Sequence, residues 1–319
     1  MNTVKYKNAL PMPIGYHSLY CDGLSPESRF PRERYPKLKQ SIDQHPDARL
    51  IKWFSPRQAS LEELYDIHAP EYVDRFVSGT LTPKEQRQIG LRPWNPEIIP
   101  RTLHLTGGTI EAVHACIESN GYAGNLAGGT HHAYREHGAG YCIFNDIAIA
   151  AMQAVEMGLE RITVLDLDVH QGDGTASICK DMSTIQTISV HCAKNYPFKK
   201  QTSDIDIALP ADTGDTEFLI AVETAISAMV EFSPGLLIYQ AGVDPLSNDR
   251  LGKMNISRMG LRKRNKIVFD CVDAMHLPCL VLMGGGYAEP IEPTVECLSD
   301  LFLEAARRHL KRQDTHATV

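Results

Sequence analysis

Four short apolar runs, separated by stretches of helical composition, constrain the fold more than any other feature of this chain. The runs do not alternate between apolar and polar residues, which is typical of parallel strands that helices cover on both faces. Strands and helices that alternate along a chain predict an α/β fold. We expect a single three-layer α/β/α domain over residues 1–319, with a central, mainly parallel sheet. The apolar runs are residues 161–169, 184–191, 235–242 and 279–285, and the helical stretches are 216–231, 257–276 and 291–311.

Before these runs the chain is expected to be mainly helical. Ser60 and Glu63 form a capping-box pattern that predicts the start of a short helix. Residues 81–100, rich in proline and glycine, are expected to form a loop. The basic run 262–264 is expected to be a solvated helix face. The predicted helices of this part of the chain are 60–68, 70–79, 102–119 and 145–157.

Composition excludes several classes of function. The net charge of −7 offers no basic surface for nucleic acid or an anionic membrane. No apolar run reaches the roughly 18 residues of a membrane span, and the N-terminus has no apolar signal core. Eight cysteines without a C-x-x-C pair indicate reduced thiols and a cytoplasmic location. Nothing in the sequence indicates the oligomeric state.

Polar residues cluster where the apolar runs end, and three of them predict a metal site. Asp168 and His170 are two positions apart after one strand, so their side chains point the same way. Asp244 follows another strand, and ligands of open α/β sheets bind beyond the carboxyl ends of strands. Two carboxylates and one imidazole with an open position are typical of a catalytic zinc site, and they also suit iron(II).

Adjacent histidines predict a second part of the site. Neighbours on an extended chain point apart, so His131 and His132 are expected to flank a substrate and not to share a metal. Each imidazole needs a carboxylate to fix its tautomer, and Asp166 and Asp173 are available. Tyr287 follows three glycines and could donate to a developing oxyanion. A metal, a base and an oxyanion donor together are typical of a hydrolase.

These residues, in this order, resemble the histone deacetylase family, which has the arginase/deacetylase fold. The resemblance covers residues 14–305 and is carried by five segments. They are GGTHHA at 128–133, AGYCIFNDIAIA at 139–150, LDLDVHQGDGT at 165–175, AGVDPLSNDRLG at 241–252 and GGGY at 284–287.

The resemblance implies a role for each matching residue. Asp168, His170 and Asp244 match the zinc ligands, and Tyr287 matches the carbonyl-polarising phenol. His132 matches the general base, paired with Asp173, and His131 matches the second imidazole, paired with Asp166. The acyl-lysine tunnel corresponds to Gly140, Tyr141, Tyr196 and Gly285. A structural potassium ion is also implied, held by backbone oxygens of Asp166, Asp168 and His170 and by the Ser189 hydroxyl.

The implied activity is zinc-dependent removal of acetyl or longer acyl groups from the lysine ε-amine in proteins or peptides. Leu167 and Gln171 stand where the main branches have Trp and a second His, and with other differences they resemble the class IV branch and its bacterial relatives. Residues 81–100 hold no clear counterpart of the family's substrate-binding loop Asp. Three alternatives remain: an amidohydrolase of acetylpolyamines or other small acylated amines, a two-metal ureohydrolase, and a non-catalytic acyl-lysine binding module. Gly172 disfavours the ureohydrolase because glycine offers no side-chain ligand.

Overall fold

The computed structural model describes residues 10–316 of the chain. The strands are β1 (Met12–Gly15), β2 (Ile51–Phe54), β3 (Tyr122–Asn125), β4 (Ile162–Asp166), β5 (Ile185–Cys192), β6 (Ile205–Leu209), β7 (Leu236–Gln240) and β8 (Cys279–Leu282). The helices are α1 (Arg34–Asp43), α2 (Leu61–Tyr65), α3 (Pro70–Val77), α4 (Pro83–Ile89), α5 (Ile98–Glu118), α6 (Asp146–Glu156), α7 (Asp173–Cys179), α8 (Asp215–Phe232), α9 (Arg258–Ala274) and α10 (Glu292–His316).

All eight strands form one sheet, and every strand pairing in it is parallel. The strand order is β2-β1-β3-β8-β7-β4-β5-β6. Helices α5, α6 and α7 pack on one face of the sheet, and α1, α10, α9 and α8 pack on the other. The central strands are buried along their whole length because both faces are covered. The predicted three-layer α/β/α fold with a parallel sheet is therefore confirmed.

The segment 81–100 contains a helix, so the prediction of a loop was wrong for its first half. Thr82 accepts a hydrogen bond from the Glu85 amide and Glu85 caps the Thr82 amide in return, which starts α4. Pro83 occupies the first helical turn, and Gly90 ends the helix at φ 88°. The capping pattern was present in the sequence, but the surrounding prolines and glycines obscured it.

Four strands were not predicted. β1, β2 and β3 have only four residues each, too few to show a period. β3 also contains Gly124, where a Cβ atom would lie 2.9 Å from both Phe302 and the Val281 carbonyl. β6 is an edge strand, and its residues alternate between half-buried and exposed. None of the four forms a long apolar run, because β1, β2 and β3 are short and β2 and β6 lie at the edges of the sheet.

Arg264 corrects the prediction of a solvated basic run on α9. Arg262 and Lys263 are exposed, but the Arg264 side chain is fully buried. Its guanidinium donates to the carbonyls of Gly242, at 2.6 Å, and Ala241, at 3.1 Å. Arg264 lies on the helix stripe that includes Leu261 and Val268, three residues before it and four after it, and this spacing places it inside. It supports the backbone that follows β7.

His68 joins two segments that lead into the candidate site. Its Nδ1–H donates to the Tyr134 carbonyl at 3.0 Å, and its Nε2 accepts from the Asn145 amide at 2.9 Å. This pair of bonds requires the neutral imidazole, because protonated Nε2 could not accept. Burial lowers the pKa of His68 to about 4.

We predict that His68 makes folding stability depend on pH. His68 is harder to protonate in the folded protein than in the unfolded chain. Its contribution to stability is therefore complete above the unfolded pKa of about 6.5 and is lost as the pH falls towards 4. By pH 5 the loss attributable to His68 is about 2 kcal/mol. We expect the free energy of unfolding, measured with denaturant, to fall by about 2 kcal/mol less between pH 7 and pH 5 in His68→Gln than in the wild type. His276→Asn, a change at an exposed histidine, is the control, and equal losses in wild type and His68→Gln would contradict the prediction.

Candidate active site

A cavity of about 350 Å³ lies beyond the carboxyl ends of β3, β8, β7 and β4, which are neighbours in the sheet. Nine of the predicted site residues line it: His131, His132, Gly140, Tyr141, Asp168, His170, Tyr196, Gly285 and Tyr287. Four predicted residues do not line it: Asp166, Asp173, Ser189 and Asp244. The structure therefore separates residues that can touch a substrate from residues behind them.

Asp168, His170 and Asp244 come together as a possible metal site. Each offers one ligand atom, these atoms lie within 4.8 Å of one another, and all three residues are buried. His170 Nδ1 is 3.0 Å from Asp168 Oδ1 and 3.1 Å from Asp244 Oδ2. Burial, and then the neighbouring Asp168, raises the pKa of Asp244 to about 7. Two buried carboxylates that disfavour each other's charge fit a site that receives a cation.

Backbone amides orient both carboxylates. Gly285 N–H donates to Asp168 Oδ2 at 2.8 Å, and Val169 N–H donates to Asp244 Oδ1 at 2.9 Å. A Cβ atom on Gly285 would lie 2.0 Å from Asp244 Oδ2, so only glycine fits there. The same limit holds at Gly242, where a Cβ atom would lie 2.2 Å from Asp168 Oδ2.

Each of the adjacent histidines has its own carboxylate. His131 Nδ1 is 2.6 Å from Asp166, and His132 Nδ1 is 2.6 Å from Asp173. The imidazole rings lie side by side, with centroids 4.1 Å apart. Both Nε2 atoms are thus left available to other groups, and His131 Nε2 lies 3.9 Å from Asp168. Burial and the neighbouring His131 lower the pKa of His132 to about 4, which keeps this imidazole neutral.

Tyr287 also lines the cavity, from the loop after β8. Its backbone amide donates to Asp249 Oδ2 at 2.6 Å, and the other oxygen of Asp249 accepts from the amides of Leu251 and Gly252. Burial raises the pKa of the Tyr287 phenol well above its ordinary value, so the hydroxyl keeps its proton. It can therefore act as a hydrogen-bond donor.

Aromatic rings and glycine form the walls of the cavity mouth. Tyr196 meets His132 edge to face, with ring centroids 4.9 Å apart. Tyr141 donates its amide to the Ile89 carbonyl at the end of α4 and adopts a φ of 69°. Gly140 has a φ of 53°, and a Cβ atom there would lie 2.5 Å from the His132 ring. A side chain at position 140 would therefore displace the proposed base.

Of the residues predicted to hold potassium, Asp166 and Ser189 do not line the cavity, while Asp168 and His170 do. Ser189 is the register partner of Asp166 on the neighbouring strand, and its hydroxyl lies 3.0 Å from His191 Nδ1. The residues implied by the resemblance are thus close together, and potassium binding stays a prediction.

Several residues that support the site were not predicted from the sequence. Asn195 Nδ2 lies 3.3 Å from His170 Nε2, and Gln240 donates to the Gly129 carbonyl from the end of β7. Asp146 accepts from the amides of Gly129 and Thr130, which fixes the approach to the two histidines. Asp249 could have been noticed, since it lies five residues after Asp244 in a matched segment. Asn195 and Gln240 had no such signal, because their roles depend on contacts between distant segments.

Comparison with known proteins shows the family of this chain. The model of the histone deacetylase domain matches residues 28–300. The chain belongs to the histone deacetylase family. It is 40% identical over 285 residues to an uncharacterized protein of Picosynechococcus, covering 89% of this chain and 94% of that protein. It is 30% identical to Histone deacetylase 2 of Arabidopsis thaliana, over 76% of this chain and 66% of that protein.

Two further relatives extend the comparison. A probable deacetylase of Archaeoglobus fulgidus is 30% identical, over 72% of this chain and 68% of that protein. The crystal structure of the HDA15 HD domain superposes with a TM-score of 0.78 at 20% identity, over 92% of this chain and 88% of that chain. This likeness supports the arginase/deacetylase fold, and family membership supports deacetylase activity in general. In the described residues no helix is long and apolar enough to cross a membrane.

We predict that metal affinity depends on the three converging residues and not on the histidine pair. Asp244→Ala should weaken zinc binding by more than the roughly 10–100-fold that loss of an outer partner costs. His132→Ala, the matched control in the same cavity, should bind zinc as the wild type does. Competition with a chromophoric chelator measures both affinities. Equal affinity in Asp244→Ala and wild type would exclude this metal site.

Proposed function

We propose that this protein hydrolyses N-acyl-lysine amides in proteins or peptides with the help of a zinc ion. The observation that carries the proposal is that a group of three metal-donor residues, two of which line the cavity, lies next to two carboxylate-paired imidazoles that line the same cavity. Membership of the histone deacetylase family supports the same reaction.

The donor set fits a divalent transition-metal ion. Asp168, His170 and Asp244 would hold it, and iron(II) is an alternative because this set suits both ions. A divalent ion at such a site lowers the pKa of water and polarises a carbonyl group. The described residues contain no second group of three metal-donor residues, which disfavours a two-metal ureohydrolase. A Cβ atom at Gly172 would lie 2.4 Å from Asp166, so a larger ligand residue would not fit there unchanged.

The histidine pair supplies proton transfer. Neutral His132, oriented by Asp173, accepts a proton from the water that attacks the acyl carbon. The bond between the acyl carbon and the lysine nitrogen then breaks, and an imidazole of the pair returns a proton to the leaving amine. The products are a free amine and a carboxylate. His131 is oriented by Asp166 and stands beside His132, where its charge affects the pKa of the base.

Tyr287 and the cavity walls position the acyl group. The protonated phenol of Tyr287 donates to the oxygen that becomes negative during attack. Gly140 and Tyr141 on one side and Tyr196 on the other would enclose the lysine side chain, and Gly285 leaves room for the acyl carbonyl. Asp249 is a positioning residue in this proposal, because it holds the Tyr287 amide.

The branch assignment and the potassium ion also belong to the proposal. Leu167 and Gln171 support a class IV-like relationship, which favours acceptance of longer acyl chains. The register of Ser189 beside Asp166 supports a potassium ion behind the metal site.

We predict that Tyr287→Phe and His132→Ala abolish most of the turnover. Losing one oxyanion donor costs about 10²–10³ in kcat, and a general base contributes about 10²–10⁴. Tyr65→Phe, a tyrosine outside the cavity, is the control. Release of acetate from an acetyl-lysine peptide by zinc-loaded enzyme gives the rates. Full activity in either variant, with wild-type zinc content, would contradict the assignment.

A substrate panel separates the remaining alternatives. Zinc-loaded enzyme should hydrolyse peptides with acetyl- to myristoyl-lysine faster than acetylpolyamines. Faster turnover of acetylpolyamines would favour the small-amine amidohydrolase. Tight binding of an acyl-lysine peptide with no turnover at any metal content would indicate a non-catalytic binding module.

A further inference from the structure

We propose that this enzyme prefers acyl-lysine in an acidic sequence context, because the mouth of its cavity carries a basic rim formed by Lys194 and Lys253. The inference rests on the proposed function and narrows its substrate class. Both lysines line the cavity and are exposed, and the aromatic ring of Phe198 stands beside them with 91% of its surface exposed.

The charge at the mouth is not neutralised. Within the part of the chain that the structure describes, neither Lys194 nor Lys253 forms an ion pair. Asp212 donates its amide to the Lys253 carbonyl, but its carboxylate makes no ion pair with Lys253. The one carboxylate among the lining residues is Asp168, which belongs to the metal site. In a chain with a net charge of −7, this local excess of positive charge is distinctive.

The two lysines are held together by Asn195. Asn195 donates from Nδ2 to the Leu251 carbonyl at 2.8 Å and accepts from the Lys253 amide at 3.0 Å. The Lys253 ammonium donates to the Lys194 carbonyl at 3.1 Å, so it sits directly against the neighbouring segment. The same Asn195 side chain approaches His170, which links the basic rim to the metal site. The backbone of both lysines and the Lys253 ammonium are therefore held in place relative to the candidate metal site.

The segment that carries Phe198 is also held by hydrogen bonds at its C-terminal end. Gln171 donates to the Gln201 carbonyl at 2.8 Å and accepts from the Gln201 amide at 2.9 Å. Lys200 donates to the carbonyls of Asn195 and Pro197, at 2.7 and 2.6 Å. These two bonds tie the Lys200 ammonium to the backbone of its own segment, and its charge adds to the local positive charge. Phe198 is therefore presented to the solvent by an anchored loop, where it can contact the peptide beside the acyl-lysine.

This rim discriminates between the substrates considered above. Carboxylates next to the acyl-lysine would be attracted to Lys194 and Lys253, while lysine, arginine or polyamine nitrogens would be repelled. Because both ammonium groups are exposed, the effect acts largely on association and weakens as salt screens it. An acidic peptide is favoured and an acetylpolyamine is disfavoured.

Three peptides with acetyl-lysine between two glutamates, two glutamines or two lysines test the proposal. With zinc-loaded wild type at low ionic strength, kcat/KM should be about tenfold or more higher for the glutamate peptide than for the lysine peptide, mainly through KM. The preference should shrink at about 0.5 M salt, where charges are screened within a few Å. In Lys194→Glu/Lys253→Glu the order of the two charged peptides should reverse, and in Lys194→Gln/Lys253→Gln it should disappear.

The matched control is Lys180→Glu/Lys263→Glu, which makes the same charge change at exposed lysines that do not line the cavity. It should keep the wild-type preference. This inference would be overturned by equal kcat/KM for all three peptides in the wild type, or by a preference that is unchanged in the rim variants. Neither result would contradict the proposed function. No turnover of any peptide would overturn the proposed function and the inference with it.

Discussion

The site depends on the burial of two carboxylates beside one imidazole at the ends of adjacent parallel strands. Asp168 and His170 follow β4, and Asp244 follows its neighbour β7. Such a concentration of negative charge is unfavourable without compensation. The chain compensates in part through backbone amides of Val169 and Gly285, and the remaining charge favours a bound cation.

Other features follow from this constraint. The carboxylates can approach one another because Gly242 and Gly285 have no side chains. The fully buried Arg264 donates only to neutral groups, among them the carbonyls after β7, so it supports the ligand backbone without pairing with the carboxylates. Each histidine of the pair has its own carboxylate, Asp166 or Asp173, and neither carboxylate belongs to the proposed metal site. Metal binding and proton transfer can thus use neighbouring residues without sharing them.

The sequence predicted the parallel sheet and the position of the polar residues, because both depend on local patterns. Apolar runs without alternation indicate buried strands, and polar residues directly after them must lie at one edge of the sheet. It could not predict the residues that support the site from distant segments. Asn195 approaches the His170 imidazole, and Gln240 donates to the Gly129 carbonyl, without any local pattern that marks either residue. It also misplaced Arg264, whose carbonyl partners after β7 are distant in the sequence, and missed α4, whose local capping pattern was obscured by the surrounding prolines and glycines.

In the proposed mechanism Asp168, His170 and Asp244 would hold a single metal ion, which would lower the pKa of the water that the neighbouring imidazoles deprotonate. Titration of zinc into metal-free protein, with hydrolysis of an acetyl-lysine peptide as the readout, tests it most directly. We expect activity to rise in proportion to zinc and to saturate at one ion per chain. Activity that needs two ions per chain, or that is complete without metal, would contradict it.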